Sequence, residues 1–132
     1  MELEPELPAL VSVIALLEYM FFAFKVGMSR EKFDVPAPAV SGHPEWERLF
    51  RVQQNTLEQL MVFLPALWIF SLLIGPTLGA AIGVGFLIGR PIYFAGYVKD
   101  PKSRSTGFII GFLTNAILLL GSLGAAVYHL IS

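Results

Sequence analysis

TGFIIGFLTNAILLLGSLGAAVYHLI, residues 106–131, decides the fold class: it runs from end to end without a formal charge at neutral pH. The hydrocarbon core of a bilayer takes about 20 helical residues to cross, and this stretch exceeds that. Working back toward the N-terminus, three further apolar stretches follow. Thr77 to Tyr97 is interrupted only by Arg90. Leu60 to Ile74 is preceded by a polar but helix-compatible segment from Glu45 to Gln59. Leu7 to Val26 carries one ionisable residue, Glu18. Segments of this kind satisfy their backbone polar groups in lipid only as helices. The expected architecture is therefore an all-α integral membrane protein. It is a four-transmembrane-helix bundle forming one domain over residues 1–132, with spans near 7–26, 47–74, 77–97 and 106–131.

Composition agrees. Of 132 residues, 55% are hydrophobic and 14% charged, against about 25% charged in a soluble domain. The absence of cysteine excludes a disulfide scaffold, a thiolate metal site and a cysteine nucleophile. A net charge of −1 speaks against nucleic acid as a partner. Glu2, Glu4 and Glu6 precede the first span where a secretion signal would carry Lys or Arg, so the span is expected to be retained.

The basic residues are one-sided. Lys25, Arg30, Lys32, Arg48 and Arg51 flank the first loop, and Lys99, Lys102 and Arg104 sit in the third. None lies at the N-terminus, in the tight Gly75-Pro76 turn or at the C-terminus. Lys and Arg favour cytoplasmic loops, which places both termini on the opposite side. The first loop, from about Gly27 to Pro44, holds Pro36, Pro38 and Pro44 and is expected to be non-helical.

Polar residues at membrane depth carry the chemistry. At about 100° per residue, Arg51, Asn55 and Glu58 fall within roughly 60° of one another on the second helix. Arg48 shares their stripe and Gln53 points elsewhere, while Arg90, Tyr93 and Tyr97 share a face of the third helix. Counting about 1.5 Å per residue, Glu58 and Tyr93 each lie roughly 24 Å from the outer ends of their helices, and Asn55 and Tyr97 roughly 29 Å. Arg104 stands at the start of the fourth. Taken singly, the arginines read as interfacial anchors and the tyrosines as an aromatic belt. A carboxylate at depth costs on the order of 2–3 kcal/mol unless paired, so the group as a whole reads as a pocket. Arginine grips carboxylates in bidentate fashion and Glu58 suits an ammonium. The pocket fits a small zwitterion with more carboxylates than amines, and its position suits joining a polar cosubstrate to a lipophilic one.

Other features have plainer readings. Glu18 and Arg90 lie roughly 17 and 20 Å from the outer ends of their helices, close enough in depth to be expected as a structural ion pair. Gly79, Gly83, Gly85 and Gly89, and likewise Gly107 and Gly111, have the spacing of close helix packing. His43 and His129 fall at opposite ends, and no metal is expected. Trp46 is read as an interface anchor and Trp68 as lipid-facing or packing bulk. Phe21, Phe22 and Phe24 are read as packing, or as the border of a lipophilic groove.

The run Gly42-His43-Pro44-Glu45-Trp46-Glu47-Arg48-Leu49-Phe50-Arg51-Val52-Gln53-Gln54-Asn55-Thr56-Leu57-Glu58 resembles the signature of the membrane-associated proteins in eicosanoid and glutathione metabolism (MAPEG). Gly42, Glu47, Arg48, Phe50, Gln53 and Asn55 match its pattern, and Trp46, Leu49, Val52 and Thr56 depart from it. Gly89-Arg90-Pro91-Ile92-Tyr93-Phe94-Ala95-Gly96-Tyr97 resembles the family's third-helix motif, and Arg104 falls at the family's fourth-helix arginine. The resemblance implies a homotrimer that takes glutathione as cosubstrate near the cytoplasmic face. By position, Arg51, Asn55, Glu58, Tyr93 and Tyr97 would hold the peptide, with Arg30 and Gln53 coming from the adjoining subunit. Arg104 would be the catalytic residue, facing the sulfur. A thiol with a pKa of about 8.5 is mostly protonated at neutral pH, and a guanidinium favours its thiolate. The thiolate would attack a lipophilic electrophile or a lipid hydroperoxide arriving through the membrane lipids.

Two departures shape that expectation. Gln59 stands where several members have Tyr, removing one peptide contact. Glu31 stands where the leukotriene-forming branch has a second arginine, which favours broad conjugation or peroxide reduction over dedicated epoxide opening. The rival readings are a small multidrug exporter, with Glu18 as its helix-one glutamate, and a non-catalytic lipid-binding member of the same family. A bacterial inner membrane is expected in preference to the endoplasmic reticulum.

Overall fold

The computed structural model describes residues 5–132, so Glu2 and Glu4, on which the retained first span partly rested, lie outside the described residues. Four long helices follow in order: α1 (Glu6–Phe33), α2 (Pro44–Leu73), α3 (Pro76–Lys99) and α4 (Ser105–Ile131), with a short 3₁₀ turn at Pro101–Arg104 before the last. All four are long and apolar enough to cross a membrane. α3 packs against α1, α2 and α4, and α2 against α1 and α4.

The bundle is filled differently from a soluble one. Its centre holds Phe63 stacked on Phe86 at 4.1 Å, with Leu67, Phe70, Ala15 and Leu118 around them. Much of the remaining interior is small: Gly79, Ala80, Gly83 and Gly89 of α3, and Gly107 and Gly111 of α4, are buried. The large apolar side chains face outward instead, among them Leu17, Met20, Leu120, Leu123 and Leu130. In lipid no hydrophobic force drives such side chains inward, so helices associate through close backbone approach. The α3–α4 seam shows how close. A methyl on Gly89 would lie 3.1 Å from Gly111 N and 3.2 Å from Gly107 O, and one on Gly107 would fall on the backbone of Tyr93. Gly111 is the exception to the spacing argument: nothing lies within 4 Å of where its Cβ would be.

The first connection is shorter than expected. Gly27 through Phe33 contains no proline and continues α1, so the loop reduces to residues 34–43. The helix stops where Asp34 takes the left-handed conformation (φ 55°), two residues before Pro36. Trp46 is not an interface anchor: it is fully buried, donates from Nε1 to Val26 O at 3.2 Å, and stacks on Phe50. Over it, at 4.6 Å, lies the guanidinium of Arg30, whose Nη1 donates to Val35 O at 3.1 Å and Ala39 O at 2.8 Å. Removing two such bonds costs about 1–2 kcal/mol locally. Arg30→Ala is thus expected to speed limited proteolysis within residues 34–43 severalfold, leaving the helices intact; an unchanged cleavage rate would show that the clamp does not hold the loop.

The start of α2 is built by the residues of the first motif. Gly42 adopts φ 144°, which side chains disfavour, and its N–H donates to Glu47 Oε2 at 3.0 Å. His43 Nδ1 accepts from Glu45 N at 3.2 Å as the N-cap, followed by Pro44 in the first turn. Arg48 then reaches the end of α3, donating to Val98 O at 3.3 Å. That bond fixes the first loop and the α3–α4 connection at the same end of the bundle.

Candidate functional site

At that end, α2, α3 and the start of α4 enclose a cavity of about 560 Å³, within the range of small-molecule sites. α2 contributes Arg51, Gln54, Asn55 and Glu58, which recur at three- and four-residue spacing along one face. α3 contributes Tyr93 and Tyr97, one turn apart with ring centroids 5.5 Å from each other. Arg104, Ser105, Phe108 and Ile109 close the third wall. The glycine seam sets the depth of this wall, because α4 passes Tyr93 at the distance only Gly107 allows.

The lining is graded from buried to open. Tyr93 is buried, Asn55 and Tyr97 are half-buried, and Arg51, Glu58 and Arg104 are exposed. The Arg104 guanidinium stands 6.0 Å over the Tyr97 ring. Behind the lining sits Arg90, only 2% exposed. Its Nη1 donates to Asn55 Oδ1 at 2.9 Å, and its guanidinium lies 4.4 Å over the Tyr93 ring. Two guanidiniums, of Arg51 and Arg104, and one carboxylate, of Glu58, thus line the cavity, with a third guanidinium immediately behind the wall. An anionic ligand with one ammonium matches that field.

The expected pairing of Arg90 with Glu18 is replaced by this bond to Asn55. Glu18 Oε1 and Arg90 Nε are both buried without a hydrogen-bond partner. Matching depth was the basis for the ion pair, but depth says nothing of azimuth, and Asn55 presents its carbonyl oxygen on the side Arg90 faces. Glu18 instead borders a second cavity of about 330 Å³ with Ile14, Leu17, Phe21, Phe22, Pro91 and Phe94. There Phe22 stacks on Phe94 at 5.1 Å, so Phe21 and Phe22 do border an apolar groove.

The other anticipated residues lie apart from the main cavity within one chain. Arg30 clamps the first loop, and Gln53 Nε2 donates to Tyr19 OH at 3.4 Å. Arg48, on the same stripe as Arg51, is taken by α3. Gln59 accepts from Asn115 Nδ2 at 3.1 Å, a bond between α2 and α4 inside the apolar region. Sequence reasoning missed Gln54, Ser105, Phe108 and Ile109. Gln54 was within reach, lying three residues after Arg51 and four before Glu58; the α4 residues carried no signal beyond following Arg104 by one, four and five positions.

Comparison with known proteins accords with this geometry. The profile described as MAPEG family matches residues 8–124. Microsomal glutathione S-transferase 2 of Homo sapiens is 40% identical over 119 residues, covering 89% of this chain and 81% of that protein. Leukotriene C4 synthase of Mus musculus is 35% identical over 103 residues, 78% of this chain and 69% of that protein. An uncharacterised protein of Synechocystis sp. is 41% identical over 123 residues, 93% of this chain and 90% of its own.

Proposed function

The chain belongs to the MAPEG family, and on that premise we propose that it is an integral, multi-pass membrane glutathione S-transferase with glutathione peroxidase activity. The observation that carries this reading is the meeting of Arg51, Asn55, Glu58, Tyr93, Tyr97 and Arg104, from separate elements, on one cavity of about 560 Å³. Glutathione has two carboxylates and one ammonium. Arg51 takes a carboxylate, Glu58 the ammonium, and the phenols of Tyr93 and Tyr97 and the amide of Asn55 hold the peptide between them. Arg104 stands beside the sulfur and stabilises the thiolate.

The thiolate supplies the electron pair for a new C–S bond to a lipophilic electrophile, and the leaving group departs with the electrons of the bond that breaks. With a lipid hydroperoxide, sulfur attacks the terminal oxygen, the O–O bond breaks and the alcohol leaves. A second glutathione then displaces the oxygen as water, giving the disulfide.

The exposed flank formed by Arg51, Glu58 and Arg104 is the side on which we place a second copy in a homotrimer of such single-domain chains. That copy brings Arg30 and Gln53. Arg30 uses only Nη1 on its own loop among the described contacts, leaving its remaining donors for a ligand. The basic loops put the cavity toward the cytoplasm.

Isothermal calorimetry of the purified protein with glutathione, followed by a panel of aryl halides and lipid hydroperoxides, tests the proposal. Saturable binding with thiol conjugation is the expected result. Absence of glutathione binding at millimolar concentration would defeat it.

A further inference from the structure

We infer that Arg90 is a positioning residue that fixes the Asn55 carboxamide with its N–H₂ toward the cavity, so that Asn55 reads an acceptor oxygen, carbonyl or carboxylate, on the bound peptide. The inference rests on the glutathione reading and specifies what one wall residue recognises.

The physical argument is one of donors and acceptors. A guanidinium has five N–H donors and no acceptor. Arg90 is buried, and Asn55 Oδ1 accepts from its Nη1 at 2.9 Å. Whichever way an isolated amide might turn, the oxygen must face Arg90, because the opposite rotamer would set N–H against N–H. Turning is also costly for Arg90, whose Nε already lacks a partner. Its other neighbours are the faces of Tyr93 and Phe86, at 4.4 and 5.7 Å, and the Glu18 carboxylate, which interacts with it through its charge and not through a hydrogen bond. Asn55 is half-buried on the cavity wall, and among the described residues none accepts from its Nδ2. The side chain is therefore held in one orientation, with its donor end available to a ligand.

Glutathione binding to the intact protein, measured by calorimetry in wild type, Arg90→Leu, Arg90→Lys, Asn55→Ala and the Arg90→Leu/Asn55→Ala double variant, tests this. Arg90→Leu and Asn55→Ala are each expected to raise Kd about tenfold, the scale of one lost hydrogen bond to a charged group. Because Arg90 acts through Asn55, the double variant should bind no more weakly than Asn55→Ala alone. Arg90→Lys, which still only donates, should bind glutathione more tightly than Arg90→Leu, a partial rescue that lost packing would not give. Independent, multiplying losses in the double variant would overturn the inference, as would an unchanged Kd for Arg90→Leu. Should Arg90→Leu fail to fold, Asn55→Asp decides. It keeps the acceptor for Arg90 but offers a ligand no donor, so wild-type affinity there would equally overturn it. If wild type itself binds no glutathione, the functional reading falls first, whereas a wild type that binds with additive variants removes only the role of Arg90.

Discussion

Arg104→Ala is expected to lower the turnover of glutathione conjugation by about 10²–10³-fold, the scale seen when a donor aimed at developing charge is removed. The side chain stands at the end of the cavity where α4 begins, with its guanidinium over the Tyr97 ring. Each unit by which a positive neighbour lowers a thiol pKa represents about 1.4 kcal/mol, and without that neighbour the bound thiol returns toward its ordinary value of about 8.5. The loss should fall on the chemical step more than on binding, because Arg51 and Glu58 still hold the charged ends of the peptide. Ultraviolet difference absorption of the thiolate separates the two, with Arg30→Ala as the comparison. Arg104→Ala should lose the thiolate signal and Arg30→Ala should retain most of it. Equal losses would remove Arg104 from the role beside the sulfur.

Gly107→Ala should be the most damaging single-methyl change in the bundle. Its Cβ would coincide with the backbone of Tyr93, and no side-chain rotation relieves a collision with backbone. Helices α3 and α4 must separate, at a cost of about 3 kcal/mol. Tyr93 moves with the displaced helix, so glutathione binding should weaken together with stability. Gly111→Ala, one turn further along and with nothing within 4 Å of the added methyl, should stay within about 0.5 kcal/mol of wild type. Thermal unfolding of the detergent-solubilised proteins measures both. A Gly107→Ala protein as stable as Gly111→Ala would mean that the two helices do not meet as described.

The contrast between these two glycines also marks what sequence can disclose. Their four-residue spacing identified a packing seam but not which of them fills it, because spacing repeats while the crossing point of two helices does not. Helical periodicity works well where it is averaged over many residues. Hydropathy located four helices, and phase with rise placed Arg51, Asn55 and Glu58 at the level of Tyr93 and Tyr97. It works poorly for single partners. Arg90 was assigned to Glu18 on depth, yet Asn55 takes the hydrogen bond. Gln59 was weighed only as a lost ligand contact, while Asn115, across the bundle, holds it from a helix read only for its lack of formal charge. Arg30 sits in a stretch whose prolines argued for an open loop, but the seven residues after Val26 carry none, and α1 runs on past the point where Trp46 lodges against it.

The tight α3–α4 contact also limits where novelty can arise. Position 107 admits no side chain without prising two helices apart, and position 89 admits one only if the backbone of α4 gives way by a few tenths of an ångström, so that wall resists drift. Mutational freedom is left to the lipid-washed exterior, where Leu120 or Leu123 can change at little cost. A lineage exploring new hydrophobic substrates would accordingly keep one half of its binding chamber frozen and diversify around the edge.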